Sequence, residues 1–95
     1  MSVLNFSYAD IIDDDKFGQY VEAAAVLMEE AGVEVVARGS FRETKRGDEK
    51  LPHKAAVFRY ADRAAVEAFY SSEKYRALIP LRDQACEMTI QLYDE

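Results

Sequence analysis

Hydrophobic residues change their spacing several times along the chain, and each change predicts a new element. Residues Val3 to Ile12 mix bulky, β-branched and aromatic side chains, which is typical of a strand. Alternate residues form its two faces, with Leu4, Phe6 and Tyr8 on one face and Asn5, Ser7 and Ala9 on the other. Neither face is uniformly charged, so we expect a strand that is covered on both sides.

A helix follows, because from Phe17 onward the apolar residues recur every three or four positions. This spacing predicts a helix over about Asp14 to Ala31, which Gly32 would end in the left-handed conformation. The run Asp13-Asp14-Asp15 would cap its N-terminus. The alternative, a metal-binding acidic cluster, has no ligand repeat to support it.

Two strands and a hairpin occupy the middle of the chain. Val33 to Arg38 alternates and is β-branched, which predicts the second strand. Gly39 would mark a bulge, beyond which Ser40 to Thr44 would continue the strand. The polar segment Lys45 to Pro52 then forms the turn, and His53 to Tyr60 forms the third strand.

The remaining residues predict an interrupted helix and a last strand. Asp62 would cap the second helix, Ser72 would cap its restart, and Pro80 would kink or restart it. The alternating stretch Cys86 to Tyr93 reads as the fourth strand.

The element order βαββαβ predicts an α+β, ferredoxin-like fold in a single domain over residues 1–95. Its four-stranded antiparallel sheet would carry both helices on one face. The other face would meet water unless a second copy covered it. The strands carry apolar residues that leave little for a purely polar, water-exposed face, among them Val57, Phe58, Ile90 and Leu92. We therefore predict a homodimer that packs sheet to sheet, with a ligand cavity between the two sheets.

Composition and charge limit the partners and the cellular location that we expect for this protein. The 95 residues carry a net charge of −6 and no basic stripe, which argues against nucleic acid and anionic membranes as partners. The one cysteine, Cys86, permits no intramolecular disulfide, and no basic leader or long apolar run occurs. We expect a soluble cytoplasmic protein.

Several motifs together resemble one known family. The segment from Phe69 to Tyr75, FYSSEKY, and the later Pro80-Leu81-Arg82 are similar to the signature of domain of unknown function 1330. Arg38-Gly39, Glu43, Gly47-Asp48, Phe17 and Tyr20 also match residues of that family, so the resemblance covers nearly the whole chain. Arg59, where the family tends to carry an acid, and Ser72, where it often carries proline, depart from the pattern.

The resemblance implies a dimeric α/β-barrel, the superfamily of cofactor-free monooxygenases, muconolactone isomerase-like enzymes and haem-degrading proteins. The family itself has no settled activity. Because Arg59 is basic where the family tends to carry an acid, a role of that acid on the third strand is hard to assign to this chain.

Three polar residues are candidates for chemistry. Arg38 would hold an anionic ligand, and Glu43 would accept a proton, although their spacing brings both into one cavity only if a bulge shifts the strand. His53, the sole histidine, would act as a general base or as a haem ligand. In the alternative interpretation these residues have no chemical role. Arg38 and Glu43 would then be ordinary charges that pair with neighbours or face water, and His53 would be a partly exposed loop residue.

The function is thus open between three alternatives. The first is a small-molecule-binding protein, with Tyr8 and Tyr60 lining the pocket beside Arg38, that acts as a cofactor-free isomerase or monooxygenase. The second is a non-catalytic structural or binding module, and the third binds haem through His53. Phosphate loops, metal-ligand spacings and nucleotide fingerprints are absent, so no cofactor is predicted.

Overall fold

The computed structural model describes residues 1–95 and contains four strands and four helices. In chain order they are β1 (Val3–Ile11), α1 (Asp14–Glu30), β2 (Glu34–Ser40), β3 (Lys54–Tyr60), α2 (Arg63–Ser71), α3 (Glu73–Arg76), α4 (Ile79–Ala85) and β4 (Cys86–Asp94). The strands form one antiparallel sheet in the order β2-β3-β1-β4. This arrangement confirms the predicted ferredoxin-like α+β fold.

Short polar residues begin and end the helices where the sequence indicated. The Asp13 carboxylate accepts a hydrogen bond from the Lys16 N–H at 3.0 Å, so the acidic run caps α1 as predicted. Gly32 follows the helix with φ of 72°, a conformation that costs glycine little. None of the helices is long and apolar enough to cross a bilayer.

The predicted interruptions of the second helix divide it into α2, α3 and α4. The Asp62 carboxylate accepts from the Ala65 N–H at 2.8 Å at the start of α2, and the Ser72 hydroxyl accepts from the Tyr75 N–H at 3.2 Å at the start of α3. Pro80 lies in the first turn of α4, where its missing N–H interrupts no helical hydrogen bond.

Strand β2 differs from the prediction in two ways. Its register shifts between Val35 and Ala37, so the bulge falls at Val36, whereas Gly39 pairs regularly with Ala55. Glycine permits a bulge but does not require one, and the prediction of a bulge at Gly39 was wrong. The strand also ends at Ser40 rather than at Thr44. Beyond it the Phe41 N–H still donates to the His53 carbonyl at 2.8 Å, but residues 42–44 form no ladder with β3.

The two faces of the sheet have different surroundings. We call the helix-covered side the inner face; β1 contributes Val3, Asn5, Ser7 and Ala9 to it, all buried. The other side, the outer face, carries Leu4, Phe6 and Tyr8 of β1 beside Arg59, Val57 and Ala55 of β3. The inner face and the helices form one core, which includes Tyr20, Ala24, Met28, Phe58, Tyr60, Val66, Phe69 and Tyr75.

Candidate functional site

A cavity of about 520 Å³ lies between helix α1 and the inner face of the sheet. It is thus on the helix side of the sheet, whereas the sequence led us to expect a cavity between two sheets. Its wall comes from α1, the first three strands, Tyr70 of α2 and Met88 of β4. Small residues on facing elements, Ala24 of α1 and Ala56 of β3, leave this space open because neither side chain is long enough to fill it.

The deep part of the cavity is apolar. Twelve of its 19 lining residues are hydrophobic, and the buried ones include Tyr20, Ala24, Met28 and Phe58. Such a surface favours the apolar body of an organic molecule, because it offers water few hydrogen bonds.

The mouth of the cavity is charged. Arg38, Lys54 and Glu22 line the cavity and are exposed. Neither Arg38 nor Lys54 has a carboxylate oxygen within 4.0 Å, although six ion pairs form elsewhere in the chain. The mouth therefore offers two cations without ion-pair partners to an anionic group.

The bulge at Val36 is what turns Arg38 toward this mouth. Beyond the bulge, Arg38 pairs with Ala56, an inner-face residue of β3 that also lines the cavity. Because neighbouring strand residues point to opposite faces, a regular strand would have placed Arg38 on the outer face.

A first polar network borders the cavity at β1. The Ser7 hydroxyl donates to the Asn5 side-chain carbonyl at 2.6 Å, and the Asn5 amide donates to the Tyr70 hydroxyl at 2.7 Å. Ser7 and Tyr70 line the cavity. The nearby Tyr60 hydroxyl is buried without any hydrogen bond. Burial raises the pKa of Tyr70 and of Tyr60, so both phenols are neutral.

A second network reaches the cavity from helix α4. Arg82 donates to the Tyr75 hydroxyl at 3.0 Å, and the hydroxyls of Tyr75 and Tyr20 are 2.8 Å apart. The Tyr20 hydroxyl also lies 4.0 Å from the sulfur of Met88, and both residues line the cavity. Burial, with the neighbouring Tyr75, raises the pKa of Tyr20, which is therefore a neutral donor as well.

The structure separates the residues that the sequence grouped as a site. Arg38 lines the cavity, but Glu43 lies in the loop after β2, where it is exposed and 3.9 Å from Arg42. Tyr60 faces the helices but does not line the cavity, and Tyr8 is on the outer face. Arg38 and Glu43 do not share a cavity, because the strand ends before Glu43 and leaves it in solvent.

His53 lies apart from this cavity. Its ring stacks on Phe41 with centroids 4.8 Å apart, and its Nδ1 is 2.7 Å from the Leu51 carbonyl oxygen. It borders a smaller cleft of about 320 Å³, which Asp14 also lines. Haem binding through His53 stays a prediction.

Sequence reasoning missed the residues that form the polar networks beside the cavity. Asn5 and Tyr70 on one side, and Tyr20 with Arg82 on the other, were assigned to strand faces, to the core or to family motifs. One signal was available: Asn5 and Ser7 are polar residues on a strand face that carries no charge, and buried polar groups of this kind need partners.

The fold defines the class to which the chain is similar. It has the ferredoxin-like α+β architecture shared with antibiotic biosynthesis monooxygenases. Within that class, residues 3–95 match the family described as "Domain of unknown function (DUF1330)", and the chain belongs to this family. No curated protein matches the sequence.

Solved structures show the same fold at low sequence identity. The RPA0582 protein of unknown function from Rhodopseudomonas palustris has a TM-score of 0.83 and 16% identity, over 99% of this chain and 82% of that one. SnoaB, a cofactor-independent oxygenase from Streptomyces nogalater, has a TM-score of 0.74 and 10% identity, over 99% and 92% of the two chains. An antibiotic biosynthesis monooxygenase has a TM-score of 0.61 and 18% identity, over 98% and 97%.

Proposed function

We propose that this protein binds a small organic anion in the cavity between α1 and the sheet. The observation that carries the proposal is the pair of cations without ion-pair partners, Arg38 and Lys54, at the mouth of an apolar cavity. The guanidinium of Arg38 matches the geometry of a carboxylate with two parallel N–H donors. The apolar body of the ligand would lie deeper, against Met28 and Phe58.

Cofactor-free oxygenation of the bound molecule is the second candidate activity. The fold that the chain shares with a cofactor-independent oxygenase supports it. So do the neutral O–H groups of Tyr20 and Tyr70, which would stabilise negative charge on a substrate oxygen. Proton abstraction by Glu43 or His53, as in an isomerase, is less well supported because neither residue lines the cavity.

A thermal-shift series tests the binding proposal. The purified protein is measured against small aromatic carboxylates, lactones, quinones and haem, beside Arg38→Ala and the control Arg46→Ala, which removes an exposed arginine outside the cavity. A ligand at about 100 times its Kd stabilises the native state by about 2.7 kcal/mol. In a domain of this size that raises Tm by roughly 10–20 °C.

We expect carboxylates to raise Tm of the unchanged protein and of Arg46→Ala, and to lose most of this effect in Arg38→Ala. A carboxylate that stabilises all three proteins equally would show that Arg38 does not hold the anion. No shift with any compound would favour the non-catalytic structural module. A haem effect that survives Arg38→Ala but not His53→Ala would favour the haem alternative.

We further propose that the protein is a single-domain, cytoplasmic homodimer whose outer sheet faces pack together. Only 14 of the 95 residues are buried in one chain, which is a small core, and no helix covers Phe6 or Val57 on the outer face. Light scattering should give the mass of a dimer, and Phe6→Asp should give that of a monomer. Val26→Asp is the control, because it introduces the same charge at an apolar residue on the exposed side of α1. A monomeric unchanged protein would overturn this proposal.

A further inference from the structure

Each of the two hydrogen-bond networks beside the cavity has more O–H hydrogens than strong acceptors, and this excess constrains the ligand. In the network from α4, the Arg82 guanidinium can only donate, so the Tyr75 hydroxyl accepts from it. The donation from Arg82 polarises the Tyr75 hydroxyl and makes it the better donor of the two tyrosines, whose oxygens are 2.8 Å apart. When Tyr75 donates, the hydrogen of Tyr20 has only the sulfur of Met88, a weak acceptor at 4.0 Å, within reach.

The network at β1 ends in the same way. The Asn5 amide nitrogen can only donate, so Tyr70 accepts from it, and no hydrogen bond within 3.5 Å uses the hydrogen of Tyr70, although the Tyr60 and Ser7 hydroxyls lie nearby. The reverse orientation of the Asn5 amide would transfer the free hydrogen to Ser7, which lines the same cavity. In either orientation, one O–H group at this wall donates no hydrogen bond of good geometry to the protein.

Both free donors belong to residues that line one largely apolar cavity. Tyr20 comes from α1 and Tyr70 from α2, so the two phenols approach the ligand space from different elements. A purely hydrocarbon ligand would exclude water and leave both O–H groups without acceptors, which is costly in a buried site. A ligand with suitably placed oxygens would satisfy them.

From this arrangement we infer that the cavity selects ligands with at least two acceptor oxygens, such as carbonyl or ring oxygens, on the apolar body. This inference rests on the proposed function and deepens it. The ligand class becomes that of oxygen-bearing organic acids, whose carboxylate meets Arg38 and Lys54 while the further oxygens accept from Tyr20 and Tyr70. Aromatic carboxylates without those oxygens bind more weakly.

Two probes of nearly equal shape separate the inference from the proposed function. Chromone-2-carboxylate and 2-naphthoate are both bicyclic carboxylates, but only the first carries a carbonyl and a ring oxygen. Isothermal titration calorimetry should give a Kd for the chromone about tenfold lower than that for the naphthoate in the unchanged protein, since each neutral hydrogen bond contributes a few-fold in affinity.

Three variants extend the test. Tyr20→Phe and Tyr70→Phe should each reduce the preference about threefold, and Tyr93→Phe, an exposed tyrosine outside the cavity, should leave it unchanged. Because the ratio of the two Kd values is taken within each variant, a change in stability does not enter the comparison. The ligand pair also tests the inference in the unchanged protein if either variant fails to fold.

Equal affinity for the two probes, unaffected by either phenylalanine, overturns the inference and leaves the proposed function standing. Binding of neither probe overturns both. A preference for the chromone that persists in Tyr20→Phe and in Tyr70→Phe also overturns it, because the discriminating donors would then lie elsewhere.

Discussion

Replacing Tyr60 by phenylalanine should stabilise this protein, although most substitutions of a buried tyrosine destabilise. The Tyr60 side chain is 2% exposed and its hydroxyl makes no hydrogen bond. In the unfolded chain the same hydroxyl is hydrated, so folding loses that hydration without compensation. An unpaired buried polar group of this kind costs about 1–3 kcal/mol.

The packing of the ring should survive the change. The centroid of Tyr60 lies 6.0 Å from that of Phe69 and 6.4 Å from that of Tyr70, and a phenylalanine ring keeps these contacts. Removing the oxygen leaves a small void, which offsets part of the gain. We therefore expect the free energy of unfolding to rise by about 1 kcal/mol, and Tm to rise by roughly 4–8 °C.

Urea unfolding followed by circular dichroism measures this difference, with Tyr75→Phe as the matched control. The Tyr75 hydroxyl bonds to Tyr20 and Arg82, so its removal should lower the free energy of unfolding by about 1–3 kcal/mol. A loss of 1 kcal/mol or more in Tyr60→Phe would refute the reasoning, because it would mean that the Tyr60 hydroxyl has a partner. Ligand affinity should not change in Tyr60→Phe, since Tyr60 does not line the cavity.

Two further predictions concern the backbone and pH. Gly32→Ala should lower the free energy of unfolding by about 1–2 kcal/mol, because a residue with a Cβ is strained at φ of 72°. Gly18→Ala should raise it by about 1 kcal/mol, because Gly18 lies in helix α1 and alanine favours the helix. Urea unfolding measures both variants, and equal effects would contradict the prediction. The hydrogen bonds from Arg59, and then from Ser2, lower the pKa of Glu95 from 4.5 to about 2. A lowered pKa gives stability that is present above the unfolded value and is lost as pH falls through the folded one. The difference in stability between the unchanged protein and Glu95→Gln should therefore shrink between pH 4.5 and about 2, and a constant difference across this window would be inconsistent with the ion pair.

Local sequence signals determined the elements because each acts over a few residues. The Asp13, Asp62 and Ser72 caps, the left-handed Gly32 and the alternating strands all appear where short-range patterns indicated. Together they predicted the βαββαβ order, and with it the ferredoxin-like sheet.

The position of the bulge in β2 could not be predicted in this way. Sequence favoured Gly39, but pairing with β3 placed the extra residue at Val36. Register is set by the partner strand, and a shift of one residue moves a side chain to the opposite face. That shift put Arg38 at the mouth of the cavity on the helix side, whereas the end of the strand left Glu43 in solvent.

The sequence by itself thus determined which segments become helices and strands, and it pointed to one residue, Arg38, that lines the cavity. Tertiary structure alone decided where the cavity lies and which polar groups meet at its wall. Tyr70 reaches Asn5 across 65 positions, and Tyr20 reaches Tyr75 across 55. Contacts of such separation leave no short-range pattern in the chain, because they arise only when the helices pack on the sheet.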